Sequence, residues 1–314
     1  MVKRLYYLAV AFSVIVIGLS CGQDQNRGQG GESGVKTAAK KAPASKIAFE
    51  SVRSGAYDIW VMDADGSNQV KITQGKGWKR FPSWSPDGKQ LAFVSDREKR
   101  NTFYLYVINA DGAGLRRVTE EISRVGFSSW SPDGTRIVFE TTMCCRGKTS
   151  DIYIINTDGT GLIDLTNTPE LDFEPSWSPD GLKIAFASEK NKNKDIYVIN
   201  VDGSNLVRLT DIAEKDESPN WSPDCSKIVF CSARDGVDDI FVMNADGTGV
   251  VNLTHDKNKN MSPKWSPDGS RIAFVSLRNN DRDIFVMNAD GSDIHSISNH
   301  PMLDDFPSWS PALK

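Results

Sequence analysis

The stretch FPSWSPDGKQLAFVS, Phe81 to Ser95, decides the reading of this chain. Pro86-Asp87-Gly88 is a tight turn: proline presets φ, aspartate caps the turn, and glycine takes the φ > 0 position. Before it, Ser83 to Ser85 lies on an inner strand A. After it, the apolar run Gln90 to Ser95 reads as strand B. A polar loop then leads to strand C at Tyr104 to Asn109, a second turn at Asn109-Ala110-Asp111-Gly112, and strand D at Leu115 to Thr119.

The same sentence returns. Trp-Ser-Pro begins at Trp84, Trp130, Trp177, Trp221, Trp265 and Trp309, in steps of 46, 47, 44, 44 and 44 residues. Asp-Gly recurs at Asp65, Asp111, Asp158, Asp202, Asp246 and Asp290 with the same steps. A repeat of this length with four short strands per unit is the signature of propeller blades. Strands such as Ile196-Tyr197-Val198-Ile199 are apolar on both faces, so both faces must be covered, and neighbouring blades would cover them. The first unit starts at Lys46 with strand B, and the last stops after strand A at Trp309. Together they make one blade. The expectation is an all-β, six-bladed propeller of four-stranded antiparallel blades over residues 46–314, closed by the C-terminal strand joining the N-terminal blade, which removes exposed edges.

WSPDG followed by IAF, DIYVMN, ADG and RLT resembles the TolB-type β-propeller repeat, and the resemblance covers residues 46–314. The family's namesake carries an additional N-terminal α/β domain. Here the preceding segment reads as linker, so a stand-alone propeller is expected.

Lys3 and Arg4 precede a continuous apolar run, Leu5 to Ile17, which is short for a membrane span and reads as an export signal over residues 1–21. Gly18-Leu19-Ser20-Cys21 resembles a bacterial lipobox with Gly18 in place of the usual aliphatic residue, and implies lipidation at Cys21. An ordinary secretory peptide is the alternative. Residues 22–45 are Gly, Gln, Ala and Lys rich, too poor in apolar groups to offset ordering entropy, and read as disordered linker. Gly22, rather than Asp, after the cysteine resembles outer-membrane-sorted lipoproteins. The expected location is the bacterial cell envelope, periplasmic or surface-facing.

Charge narrows the partners. Residues 1–45 hold six Lys/Arg against two Asp/Glu, so the chain's net −4 leaves −8 on the remainder. An acidic body argues against nucleic acid, which needs basic groups to displace counterions. The A–B and C–D turns fall on one face of the disc, and the longer B–C and D–A loops on the other. Residues entering the innermost strands are therefore the candidate channel mouth: Lys79, Arg80, Arg124, Asp172, Glu174, Asp216, Glu217, Asn260, Asp304 and Asp305. Their charges suit a cation in the channel or a basic segment of a partner, although each is equally readable as a solvated loop residue. Asp58, Asp151, Asp195, Asp239 and Asp283 open five C strands and read as structural caps because they recur on every such blade. The six tryptophans read as interblade packing.

Trp78, Met143, Cys144 and Cys145 break the repeat. The two adjacent cysteines could form a vicinal disulfide, bond another chain or stay as thiols. Cys225 replaces the turn glycine, so either it takes an unfavourable φ or the turn differs there. Cys231 reads as core, poorly placed to bridge Cys225. The Gly-x-Ser-x-Gly match at Gly18 to Gly22 lacks strand–turn–helix context. Oligogalacturonate lyases resemble this repeat and use histidine-bound metal, but His255, His295 and His300 form no visible constellation. The expectation is a non-catalytic, envelope-anchored scaffold for a protein, peptide or glycan, without a cofactor, with the propeller lyase as alternative.

Overall fold

The structure, a computed structural model, describes residues 45–120, 122–141, 150–278 and 281–312. The export signal, Cys21, the linker, Met143, Cys144 and Cys145 lie outside the described residues. Six four-stranded antiparallel sheets follow one another along the chain. Blade 2 consists of strands Lys79–Trp84, Gln90–Lys99, Thr102–Asn109 and Arg116–Arg117. Strand A thus begins upstream of the expected span, and strand D is short. Its backbone has a partner on only one side.

Blade 1 is completed by the two ends. The last strand, Asp304–Trp309, pairs antiparallel with Lys46–Ser51, placing Ile47 opposite Trp309 and Ser51 opposite Asp304. The Ser310 N–H donates to the Lys46 carbonyl at 2.7 Å, and the Lys46 N–H donates to Ser310 Oγ at 2.7 Å. The expected closure is present.

Packing follows from the two-faced B strands. Ala185 and Ala187 of blade 4 meet Trp221, Ile228 and Phe230 of blade 5, while Ile184 and Phe186 on the opposite face meet Val138 and Ile152 of blade 3. Each of the six apolar clusters joins two adjacent blades. In each, one blade's Trp and Phe fill against smaller residues of the next, and all six Trp-Ser-Pro tryptophans are buried there. Such burial supplies about 1.5–3 kcal/mol per large side chain.

Hydrogen bonds within blades explain the recurring aspartates. Asp239 Oδ1 accepts from Thr254 Oγ1 at 2.6 Å, and that hydroxyl accepts the Ile240 N–H at 3.1 Å. Thr73 relays between Asp58 and Ile59 in the same way, and Ser298 between Asp283 and Ile284. The A–B turns repeat too: in blade 2, Ser85 Oγ donates to Asp87 and accepts the Gln90 N–H. Cys225 occupies the turn-glycine position at φ 61° and keeps the turn of the other blades, so of the two expectations the unfavourable φ is the one observed. It and the buried Cys231 are free thiols.

Candidate functional site

Every strand A is bulged against its strand B. The register slips between Arg80 and Ser83, Val125 and Ser128, Phe173 and Ser176, Glu217 and Asn220, and Met261 and Lys264, and in blade 1 between Ala48 and Glu50 of the partner strand. Phe81, Glu174, Ser218, Ser262 and Phe306, each followed by proline, adopt φ of 52–57°. Left-handed backbone costs an L-residue about 1–2 kcal/mol, and a bulge re-aims the side chain it carries. The third residue of every strand A, Phe127 in blade 3 included, lines the axial cavity together with residues that follow it on the strand.

Carboxyl groups hold four of the five left-handed residues. Glu50 Oε2 accepts the Phe81 N–H at 3.0 Å, Glu140 Oε2 accepts the Glu174 N–H at 2.5 Å, and Asp305 Oδ1 accepts the Phe306 N–H at 3.0 Å. Glu174 Oε2 accepts both the N–H and the hydroxyl of Ser218, at 2.5 and 3.0 Å. Burial raises the Glu50 carboxyl to about 7, against the pull of Arg80, and the Glu140 carboxyl to about 8. Glu174 is also raised, first by burial and then by nearby Glu217.

The ten candidate mouth residues therefore separate. Lys79, Asp172, Asp216, Asn260 and Asp304 open their strands and are buried within the sheets. Lys79 Nζ lies 3.0 Å from Asp58, Asp216 takes Arg234 at 3.1 Å on both oxygens, and Asp304 is ion-paired with Arg53. Asn260 Nδ2 donates to Asp239 at 3.2 Å, and Thr168 Oγ1 to Asp172 at 3.2 Å. At second positions, Asp305 takes Arg282 at 2.5 Å, and Glu217 takes Lys215 at 2.7 Å and Lys194 at 3.2 Å. Arg80 is fixed by Glu50 at 2.9 Å and stacks on Tyr57 and Phe81, 4.6 Å from each ring centre. Arg124 is exposed just ahead of strand Val125–Trp130. Of the ten, Glu174 lines the cavity.

That cavity, about 170 Å³, is two-sided. Blades 1, 2 and 3 contribute Phe306, Phe81 and Phe127, whose ring centres lie 4.2, 4.8 and 5.0 Å apart. Blades 4, 5 and 6 contribute Glu174, Ser218 and Asn220, and Ser262 and Lys264. Burial lowers the Lys264 amine below its ordinary value, and Glu174 partly restores it. One wall can pack an apolar group while the other supplies hydrogen bonds and charge. A second axial cavity, at the Trp-Ser-Pro face, shares Asn220, Trp265 and Trp309 with the first. Sequence reasoning missed the phenylalanine trio and Lys264. The signal for Lys264 was its place before tryptophan, where the other units have Ser83, Ser129, Ser176, Asn220 and Ser308.

Potential metal ligands gather elsewhere. Among the described residues, Glu217, Cys231 and Asp238 form the one group of three close enough to hold an ion. The Lys215 ammonium already bridges it, 2.7 Å from Glu217 and 3.2 Å from Asp238. His255, His295 and His300 are not in that group.

Known proteins share this architecture. The TolB from Acinetobacter baumannii superposes with a TM-score of 0.75 at 22% identity, covering 86% of this chain and 67% of that one. A putative TolB from Agrobacterium tumefaciens gives 0.66 at 24% identity over 84% and 90%. An oligogalacturonate lyase in complex with manganese gives 0.59 at 17% identity over 82% and 74%. In sequence, the Tol-Pal system protein TolB of Mannheimia succiniciproducens is 38% identical over 68 residues, 21% of this chain and 16% of the relative. The same-named protein of Methylobacillus flagellatus is 37% identical over 62 residues, 20% and 14%. The chain thus aligns with about a seventh of the curated relatives it matches. The profile of the TolB beta propeller domain matches residues 13–143 and 143–314. With nearly the whole sequence matched, and the six closed blades to go with it, the chain belongs to the TolB beta propeller domain family.

Proposed function

We propose that this protein is a non-catalytic binding scaffold of the bacterial cell envelope, exported and lipid-anchored through Cys21, which recognises a partner on the B–C/D–A loop face around the channel mouth. A protein or peptide is the favoured partner over a glycan, because the sequence relatives are named for the Tol-Pal protein system. One observation carries the reading: the two-sided cavity, with three phenylalanines against Glu174, Ser218, Ser262 and Lys264. A structural repeat would give every blade the same inward residue. Six blades that differ in halves suit an asymmetric ligand.

Photo-crosslinking in intact cells tests it. A crosslinker at Phe127 should capture a defined protein, while one at Pro132, on the Trp-Ser-Pro face, should not. Equal capture at both positions, or none at Phe127, overturns the reading. Lipid anchoring is checked by fatty-acid labelling, which Cys21→Ser should abolish. The lyase alternative has fold likeness in its favour. A polyuronide assay with added manganese decides it, and turnover lost in His255→Ala and His300→Ala would replace the scaffold reading.

A further inference from the structure

Lys264 departs from the repeat on the inner strand of blade 6. Next to the other five inner tryptophans sits a small polar residue, and three of these tie one blade to the next. Ser308 Oγ accepts the Trp84 N–H at 3.2 Å, Ser129 Oγ accepts the Trp177 N–H at 3.2 Å, and Asn220 Oδ1 accepts the Trp265 N–H at 2.8 Å. An ammonium group has donors and no acceptor, so blade 6 cannot make this bond. Blade 6 thus places a cation on the cavity wall where the other blades carry a hydroxyl or an amide.

That cation is unmatched. Among the described residues, the Lys264 ammonium has no carboxylate within ion-pair distance and no hydrogen-bond partner. Glu174, the acid on the same wall, already accepts two bonds from Ser218. Lys264 is part-buried and lines the open cavity, where a ligand bringing the opposite charge would gain a charge-assisted hydrogen bond. Facing it are the rings of Phe81, Phe127 and Phe306. The volume, about 170 Å³, is smaller than the usual 300–1,000 Å³ or so of sites for drug-sized ligands. It suits one residue-sized group.

We propose that the channel mouth captures a carboxylate borne on an apolar group, with the carboxylate on Lys264 and the apolar part against the phenylalanine trio. The free C-terminal residue of an extended segment and a small free acid share this chemistry. The inference rests on the loop-face mouth being the contact surface, and names what that surface recognises.

Calorimetric titration of the full chain with N-acetyl-Ala-Ala-Phe, its C-terminal amide and 3-phenylpropionate tests the proposal. The free acid should bind at least about tenfold more tightly than the amide, the loss typical of a charge-assisted bond. Lys264→Gln should erase the difference, and Lys264→Arg should keep it. Phenylpropionate binding as tightly as the peptide assigns the site to a free acid. Weaker binding assigns it to a chain end. Acid and amide binding alike, or discrimination surviving in Lys264→Gln, overturns the proposal. Should Lys264→Gln fail to fold, ¹³C-methylated lysine resonances of the otherwise unaltered chain decide instead, since one must move with the acid and stay put with the amide. Crosslinked partner at Phe127 without acid preference overturns carboxylate capture and leaves the scaffold reading standing. Acid preference without crosslinked partner supports capture and overturns the scaffold reading.

Discussion

Glu140, on strand B of blade 3, accepts the backbone N–H of Glu174, on strand A of blade 4, at 2.5 Å. A buried carboxylate of one blade thus holds the strained inward residue of the next. Burial has raised the Glu140 carboxyl from the ordinary 4.5 to about 8. Between those values the folded chain keeps a proton that the unfolded chain has released, so stability falls as pH rises through that window. Glu140→Gln removes the titration. Its stability relative to the parent should rise from pH 5 to pH 9 by about 2–4 kcal/mol, read from urea midpoints. A constant difference would rule out a buried titrating acid there.

Trp309 closes the ring between blades 1 and 6, packed with Ile47, Phe49 and Val275. Trp309→Ala should cost about 3–5 kcal/mol. Deleting residues 304–314 should cost the cooperative transition as a whole, because the strand beginning at Lys46 then lacks its inner partner. Thermal melts of both variants check this.

Thr254 joins Asp239 to the backbone of its own blade. Thr254→Val keeps the shape, orphans the Ile240 N–H and takes one donor from Asp239, which keeps Asn260 and Asn252, at about 1–3 kcal/mol. Thr254→Ser keeps the hydroxyl and should cost less. Equal losses in the two variants would assign the effect to the methyl group.

Cys225 occupies a glycine position in left-handed backbone. Relief of about 1–2 kcal/mol of strain outweighs the extra chain entropy that glycine loses on folding, about 0.5–1 kcal/mol. Cys225→Gly should therefore stabilise the protein by about 0.5–1 kcal/mol, seen as a higher midpoint at unchanged m-value.

Much of this was legible in the sequence. The repeat fixed blade number, closure and tryptophan burial, because each depends on a spacing that recurs. The mouth was less so. Lys79, Asp216 and Asp304 are charged, and charge ordinarily marks exposure. Their partners Asp58, Arg234 and Arg53 lie 21, 18 and 251 residues away, and nothing local announces them. The bulge was equally hidden. A single unpaired residue reverses which side chain faces the axis, so Phe81 and Phe306 took the place that alternation gave to their neighbours. Lys264 was readable as the one lysine in a column of serines and an asparagine, had the six units been compared column by column.

The shared first blade also governs when the protein can be finished. Its innermost strand is synthesised after the other five blades, so a chain emerging from the ribosome or an export channel holds the edge of Lys46–Ser51 open until Asp304–Trp309 has emerged. Pairings of such long separation form slowly, and an open edge invites strangers. Nascent copies are therefore most vulnerable to one another until that strand pairs. A circular permutant, its old ends joined and new ones cut at the exposed Gly236 turn, would move that vulnerable moment to another blade.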